Sequence, residues 1–214
     1  MKSVLLIGLG RFGRYMALRL NELGHEVLGV DCDEQCVNAA LSYLTDAKIC
    51  DATDEQVVRS LGVNNFDLCV VAIGEDFESS LEVTALLKDN GATTILARAA
   101  TDLHERLLLR NGADHVIYPV KQAANYAATR YTTDHVLDYM TLSGDYSIVE
   151  LEVPPSWIGQ SIAELKVRER YALNIIAIRE QKRTKAMPGP KYIFSPGESV
   201  MVMGHNDDLH RFLK

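Results

Sequence analysis

Ser3-Val4-Leu5-Leu6-Ile7-Gly8-Leu9-Gly10-Arg11-Phe12-Gly13 is the stretch whose reading decides the fold. An apolar run of strand length ends at a glycine, as a strand buried on both faces does. Gly8, Gly10 and Gly13 follow at the spacing of a strand-to-helix turn. Gly8 permits the tight turn, Gly10 lets backbone approach a pyrophosphate, and Gly13 lets the helix pack close to the strand. Arg11–Leu23 then carries apolar residues at near-helical spacing, with Gly24 as a stop signal. Glu26–Val30 reads as a second strand, ending at Asp31. A carboxylate there accepts both ribose hydroxyls of an adenine nucleotide and repels a 2′-phosphate, which disfavours NADP. The helix N-terminus offers free N–H groups and a positive dipole end to phosphates.

The alternation continues outward. Helix is expected near Glu34–Leu41, strand near Ala47–Ile49, helix near Asp54–Leu61 and strand at Asp67–Ile73. Helix follows at Phe77–Asp89, strand at Thr94–Ala97, helix at Asp102–Leu109 and strand at His115–Ile117. Strands alternating with helices specify an α/β fold, a Rossmann-like doubly wound parallel sheet, over residues 1–120. Ligands of such sheets sit at the carboxyl ends of the strands. The candidate set is therefore the glycine loop with Arg11 and Phe12, then Asp31-Cys32, Asp51-Ala52-Thr53, Ala72-Ile73-Gly74-Glu75 and Arg98. Asp51 and Thr53 suit an adenine edge. Arg11 and Arg98 suit phosphates as guanidinium forks, although Arg98 reads equally well as half of a surface ion pair.

After Pro119 the rhythm changes. Gln122–Met140 is expected to be a crossover helix and a linker helix, closed by Gly144, so that residues 121–145 connect two domains. From Tyr146 a small α+β domain over 146–214 is expected. Its strands are Ser147–Val153, Asn174–Arg179 and Ser199–Met203, its helices Ile162–Leu165 and Asp207–Leu213. Pro154-Pro155 is read as a turn and Lys182–Lys185 as a basic loop.

The chain has 214 residues, 47% hydrophobic, with a formal net charge of -7, which argues against nucleic acid as a partner. No apolar run approaches the roughly 20 residues of a membrane helix, and Met1-Lys2 leads straight into a strand without a signal-peptide pattern. A cytoplasmic protein is expected, with any membrane role supplied by a partner. Cys32, Cys36, Cys50 and Cys69 form no Cys-x-x-Cys pair and read as reduced thiols. Cys32 and Cys36 stand at i, i+4 spacing, but no His or acid cluster supports a metal or redox role. His205 and His210 fall on different helix faces, so no metal site is expected.

A nicotinamide enzyme also needs a proton donor and a substrate pocket. The chain has no Tyr-x-x-x-Lys spacing, and the segment after Tyr146 shows no Cys–His or Asp–His arrangement at a suggestive spacing. The reading is a sensor without catalytic residues.

Gly8–Gly13 as GLGRFG, Asp31, CDATDE from Cys50, VAIGE from Val71, NGADHVIYP from Asn111, YSIVELEVP from Tyr146 and LNIIAIRE from Leu173 occur in an order that resembles Ktr/Trk-type RCK proteins, the TrkA/KtrA family. The resemblance covers both domains, the second being similar to the RCK-C (TrkA-C) domain. It implies a regulatory subunit of a bacterial potassium uptake system, peripheral to the inner face of the plasma membrane. Such a subunit is a homodimer that assembles to a homo-octamer on a membrane potassium-translocating subunit of the KtrB/TrkH type. The resemblance also implies that the first domain binds NAD(H) or an adenine nucleotide (ATP, ADP or AMP), and that ligand-dependent changes in the ring gate the partner. Arg11 would then reach the terminal phosphate from a neighbouring subunit. Many relatives carry a cation-binding glutamate just after the proline that ends strand six. Val120 stands there and cannot ligate a cation, so ATP affinity is expected to depend little on Mg²⁺. In some relatives the dimer interface of the second domain binds cyclic di-AMP; the matching positions are Val167, Arg168, Asn174, Ile175, Ile176 and Pro190. Ile175 and Ile176 read equally well as strand core and interface. Two alternatives stand beside this reading: an NAD(H)-dependent oxidoreductase, and a free-standing nucleotide or redox sensor.

Overall fold

The computed structural model describes residues 1–142, 145–181 and 183–213, and the chain divides into two compact units, Met1–Lys121 and Gln122–Lys214. In the first unit, β1 (Ser3–Ile7), β2 (Glu26–Asp31), β3 (Asp46–Ile49), β4 (Leu68–Val71), β5 (Ile95–Arg98) and β6 (His115–Ile117) form a parallel sheet of order β3-β2-β1-β4-β5-β6. Between them run α1 (Arg11–Glu22), α2 (Glu34–Ala40), α3 (Glu55–Leu61), α4 (Phe77–Asp89) and α5 (Asp102–Arg110). The strand order reverses between β1 and β4, and the crevice at that switch point is where such sheets bind ligands.

The uninterrupted apolar run of β1 follows from its two covered faces. Leu5 and Ile7 pack with Val58, Val83, Leu87 and Leu108 of α3, α4 and α5. Val4 and Leu6 point the other way and pack with Ala17, Val37 and Ala40 of α1 and α2. The βα loops set the helix starts. Asp33, Asp54, Asp76 and Thr101 each accept a hydrogen bond from a backbone amide of the helix they precede.

Pro119–Thr132 is α6, with proline in its first turn and no fully buried residue. The second unit holds β7 (Val136–Thr141), β8 (Tyr146–Glu152), α7 (Ile162–Leu165), α8 (Val167–Tyr171), β9 (Asn174–Glu180), β10 (Arg183–Ala186), β11 (Glu198–His205) and α9 (Asn206–Phe212). Its antiparallel sheet has the order β10-β9-β11-β8-β7. Trp157, Leu165, Leu173 and Phe194 fill the core against Val149, Leu151, Ile178, Val200 and Val202.

Here the structure corrects the sequence reading. The expected linker helix over residues 133–140 is instead β7. Val136, Leu137, Tyr139 and Thr141 suit a pleated surface, and β7 pairs with β8 through all of its residues but Leu137, where the register shifts; His135 turns the chain with φ 65°. The expected basic loop is β10, whose exposed Arg183 and Lys185 make a cationic edge strand against β9. Helix α8 was not expected; it stands between left-handed residues Lys166 and Ala172. Pro155–Trp157 is a single 3-10 turn. Gly144 and Lys182 lie outside the described residues.

Candidate functional site

A cleft of about 920 Å³ opens at the carboxyl ends of β1, β2, β4 and β5, a size suited to a small organic ligand. Of the expected set, Gly8, Gly10, Arg11, Phe12, Asp31, Cys32, Asp51, Ala52, Thr53, Ala72, Ile73, Gly74, Glu75 and Arg98 all line it. Gly13 does not line it. It lies beneath, where an added Cβ would overlap the Gly8 carbonyl oxygen, so it fixes how closely α1 approaches the loop.

The loop is built by conformation and by one carboxylate. Gly8 has φ +95°, which L side chains rarely adopt, and its amide bonds to the Val30 carbonyl at 2.8 Å. The Leu9 amide donates to Asp31 Oδ2 at 2.6 Å, and the Asp33 amide donates to Oδ1 at 2.9 Å. A carboxylate has about four lone-pair sites, so Asp31 holds the loop and keeps acceptor capacity toward the cleft. Gly10 is the N-cap of α1, and no side chain caps this helix, unlike α2 to α5. The amides of its first turn are therefore left to other acceptors.

Across the cleft, Arg98 lies under Gly74 and over Phe12. Its Cζ is 5.6 Å from the Phe12 ring centre, and a Cβ on Gly74 would come within 2.6 Å of it. Its Nε is buried without a hydrogen-bond partner among the described residues. Asp51 Oδ1 accepts from the Thr53 amide at 3.0 Å and hydroxyl at 2.7 Å, and these bonds hold its carboxyl below the usual carboxylate pKa. An orphaned guanidinium nitrogen and an uncapped helix facing one cleft together fit an anionic, phosphate-bearing ligand, with Asp31 and Asp51 left for its polar end.

In the second unit, Val167, Arg168, Asn174, Ile175 and Pro190 line one shallow cleft, beside Lys166 and Glu169. Arg168 Nε donates to Asn174 Oδ1 at 2.7 Å, leaving its other N–H groups available. Ile176 does not line this cleft; it sits at a β-bulge opposite Met201 and Val202.

Residues 4–119 match the TrkA-N domain model and residues 148–214 the TrkA-C domain model. The chain belongs to the Ktr/Trk family of potassium uptake proteins. It is 37% identical to "Ktr system potassium uptake protein C" of Bacillus subtilis (strain 168), over 100% of this chain and 96% of the relative. It is 39% identical to "Ktr system potassium uptake protein A" of the same organism, over 99% and 95%. The fold is also that of the structure described as "GsuK channel bound to NAD", with a TM-score of 0.71 and 20% identity over 97% of this chain and 38% of the channel chain.

In this Ktr/Trk family chain, Arg14, Tyr15, Cys36 and Ser79 also line the cleft and were not expected. Arg14 is the one the sequence signalled, since it stands three residues after Arg11 and so on the same helix face. Val120, in the first turn of α6, lines the cleft as well and is 65% exposed.

Proposed function

We propose that this chain is the nucleotide-sensing regulatory subunit of a membrane potassium transporter, acting by binding and not by catalysis. The observation that carries this reading is the Asp31 carboxylate clasping the glycine loop, with Arg98 across the same cleft. That arrangement supplies a ribose acceptor and a phosphate donor to one ligand. Family membership supplies the context, since both Bacillus subtilis relatives are named for potassium uptake. The NAD-bound channel of the same fold supports a dinucleotide as one candidate ligand; ATP, ADP and AMP share the adenosine and phosphate chemistry. The active form is a homodimer assembled to a homo-octamer on a KtrB/TrkH-type subunit at the inner face of the plasma membrane. No described helix is long and apolar enough to cross a membrane, so on this reading the partner does so. Arg11, at the mouth of the cleft, serves the terminal phosphate of a neighbouring subunit's nucleotide. Residues 1–120, 121–145 and 146–214 act as nucleotide domain, connection and effector domain, with β7 occupying part of the connection.

Calorimetric titration with ATP, ADP and NADH, each with and without Mg²⁺, tests the ligand class. Binding of at least one, lost in Asp31→Ala, is expected. ATP affinity is expected to change little with Mg²⁺, because Val120 offers no carboxylate. Binding of none, or NADH turnover with a carbonyl substrate, overturns the reading. Light scattering at micromolar concentration is expected to give an octamer.

The cleft of Arg168, Asn174 and Pro190 supports cyclic di-AMP as a second ligand. The guanidinium suits a phosphate, and the Asn174 amide has both a donor and an acceptor for an adenine edge. Titration with cyclic di-AMP, repeated on Arg168→Ala, decides this; unchanged affinity in the variant removes Arg168 from the site.

A further inference from the structure

Three thiols, Cys32, Cys36 and Cys50, border the cleft, and none is in a disulfide. Their i, i+4 spacing draws attention to Cys32 and Cys36. The structure pairs them differently. Helix α2 begins at Glu34 with Asp33 as N-cap, so Cys32 lies outside it. The Cys36 thiol is turned to its own helix start, donating to Asp33 Oδ2 at 3.6 Å. Strands β2 and β3 run in parallel register from Leu28↔Asp46 to Asp31↔Ile49. Cys32 and Cys50 are the residues that directly follow this register, and the Cys50 amide bonds to the Asp31 carbonyl at 3.1 Å. Neighbouring strands lie about 4.8 Å apart, inside the Cα separation of roughly 4.4–6.8 Å that a disulfide spans.

We propose that Cys32 and Cys50 are a redox-modifiable pair that an external disulfide converts to a bridge between the ends of β2 and β3, and that this bridge weakens ligand binding in the cleft. The second half rests on the reading that the cleft takes an adenine nucleotide, because Cys32 follows Asp31 and Cys50 precedes Asp51. Cys32 is exposed and Cys50 half-buried, so Cys32 reacts first. Its thiolate attacks one sulfur of oxidised glutathione, forming a mixed disulfide and expelling one glutathione thiolate. The Cys50 thiolate then attacks the Cys32 sulfur, forming the Cys32–Cys50 bond and expelling the second glutathione. Two cysteines lose two electrons and two protons, and one glutathione disulfide becomes two thiols.

Burial, and after it the charge of nearby carboxylates, raises both thiols above their ordinary pKa: Asp31 and Asp51 act beside Cys32, and beside Cys50 the ammonium of Lys48 opposes burial and Asp51 without cancelling them. Exchange is therefore slow near neutral pH and faster in alkali. By linkage, bound nucleotide opposes the bridge as strongly as the bridge opposes nucleotide.

The test incubates the full chain with oxidised glutathione, with and without saturating ADP. Proteolytic peptides are mapped by mass, and ADP and NADH affinity is measured before oxidation, after it, and after dithiothreitol. A Cys32–Cys50 linked peptide is expected, absent in Cys50→Ser and present in Cys36→Ser, and slower to form with ADP. Affinity of the oxidised protein is expected to be roughly tenfold weaker and restored by reduction. A Cys32–Cys36 linkage, glutathione remaining on Cys32 alone, or a linked protein of unchanged affinity overturns the proposal. Reduced protein that binds neither ADP nor NADH counts against the nucleotide reading instead, while the peptide map still decides the bridge.

Discussion

The Asp31 carboxylate accepts a 2.6 Å hydrogen bond from the Leu9 amide, so the tip of β2 is tied directly to the glycine loop after β1. The same group therefore shapes the loop and faces the cleft. Asp31→Ala removes both acceptors from the loop and from any ribose. Charge-assisted bonds are worth about 2 kcal/mol, which predicts ADP affinity lower by roughly thirtyfold. Asp31→Asn keeps one acceptor oxygen and is expected to fall between the two in calorimetry.

Gly10 and Gly13 are expected to separate binding from stability. A Cβ at Gly13 overlaps the Gly8 carbonyl, and backbone cannot move aside cheaply. Gly13→Ala is expected to lower stability by about 2 kcal/mol or more in urea unfolding. Gly10 has φ −61° and meets no atom within 4 Å. Gly10→Ala is expected to cost under about 1 kcal/mol, the loss of a modest N-cap, yet to weaken nucleotide binding because the methyl occupies the mouth of the cleft.

Gly74 and Arg98 form a second testable pair. A methyl on Gly74 displaces the guanidinium beneath it. Gly74→Ala is expected to weaken ADP binding by roughly tenfold and to leave adenosine binding unchanged, since adenosine has no phosphate. Added to Arg98→Ala it is expected to have almost no further effect, the non-additivity of groups acting on one interaction. Equal losses for ADP and adenosine would remove Arg98 from the phosphate end.

The first unit was legible because its signals are local. Glycines at Gly8 and Gly13 answer to φ and to close approach within one turn, and the period of β1 shows directly which faces are covered. Asp31 was readable as the end of β2; that it also holds the loop was not, because the Leu9 amide is a backbone group. Residues Val136–Thr141 became strand because β8 offers a partner, and pairing outweighs the helical trend carried over from Ala123–Ala128. Arg183 and Lys185 were read by charge, whereas their conformation is set by β9. Cys32 and Cys50 follow Asp31 and Ile49, the last paired residues of β2 and β3, and only that register brings them to neighbouring strand ends, which no spacing announces.

His104 gives a pH dependence. It is 1% exposed, its ring lies 4.8 Å from that of Phe77, and its Nδ1 accepts from the Ala100 amide at 3.3 Å. Burial lowers its pKa below the ordinary 6.5. Below 6.5 the unfolded chain takes up a proton that the folded chain refuses. Its stabilisation is thus present above pH 6.5 and is lost as pH falls through the lower native value. Urea midpoints are expected to decline from pH 7 to about 5, and to decline less in His104→Asn, which keeps an acceptor and does not titrate there.

Glu150 poses the corresponding question in the second unit. Its side chain is 4% exposed, accepts from the Ser199 hydroxyl, and pairs with Arg179 at 2.7 Å. Removing the cation strands a buried carboxylate, which costs more than the pair contributes. The Arg179 side chain is 42% exposed, so water screens part of that cost. Arg179→Met is therefore expected to lose about 2 kcal/mol. Adding Glu150→Gln removes the stranded charge and keeps an acceptor for Ser199, so the double variant is expected to recover much of that loss. Urea unfolding of the four proteins makes the double-mutant cycle. Strictly additive losses would mean that Arg179 does not compensate Glu150, and that the hydroxyl of Ser199 alone suffices to hold that carboxylate inside the sheet.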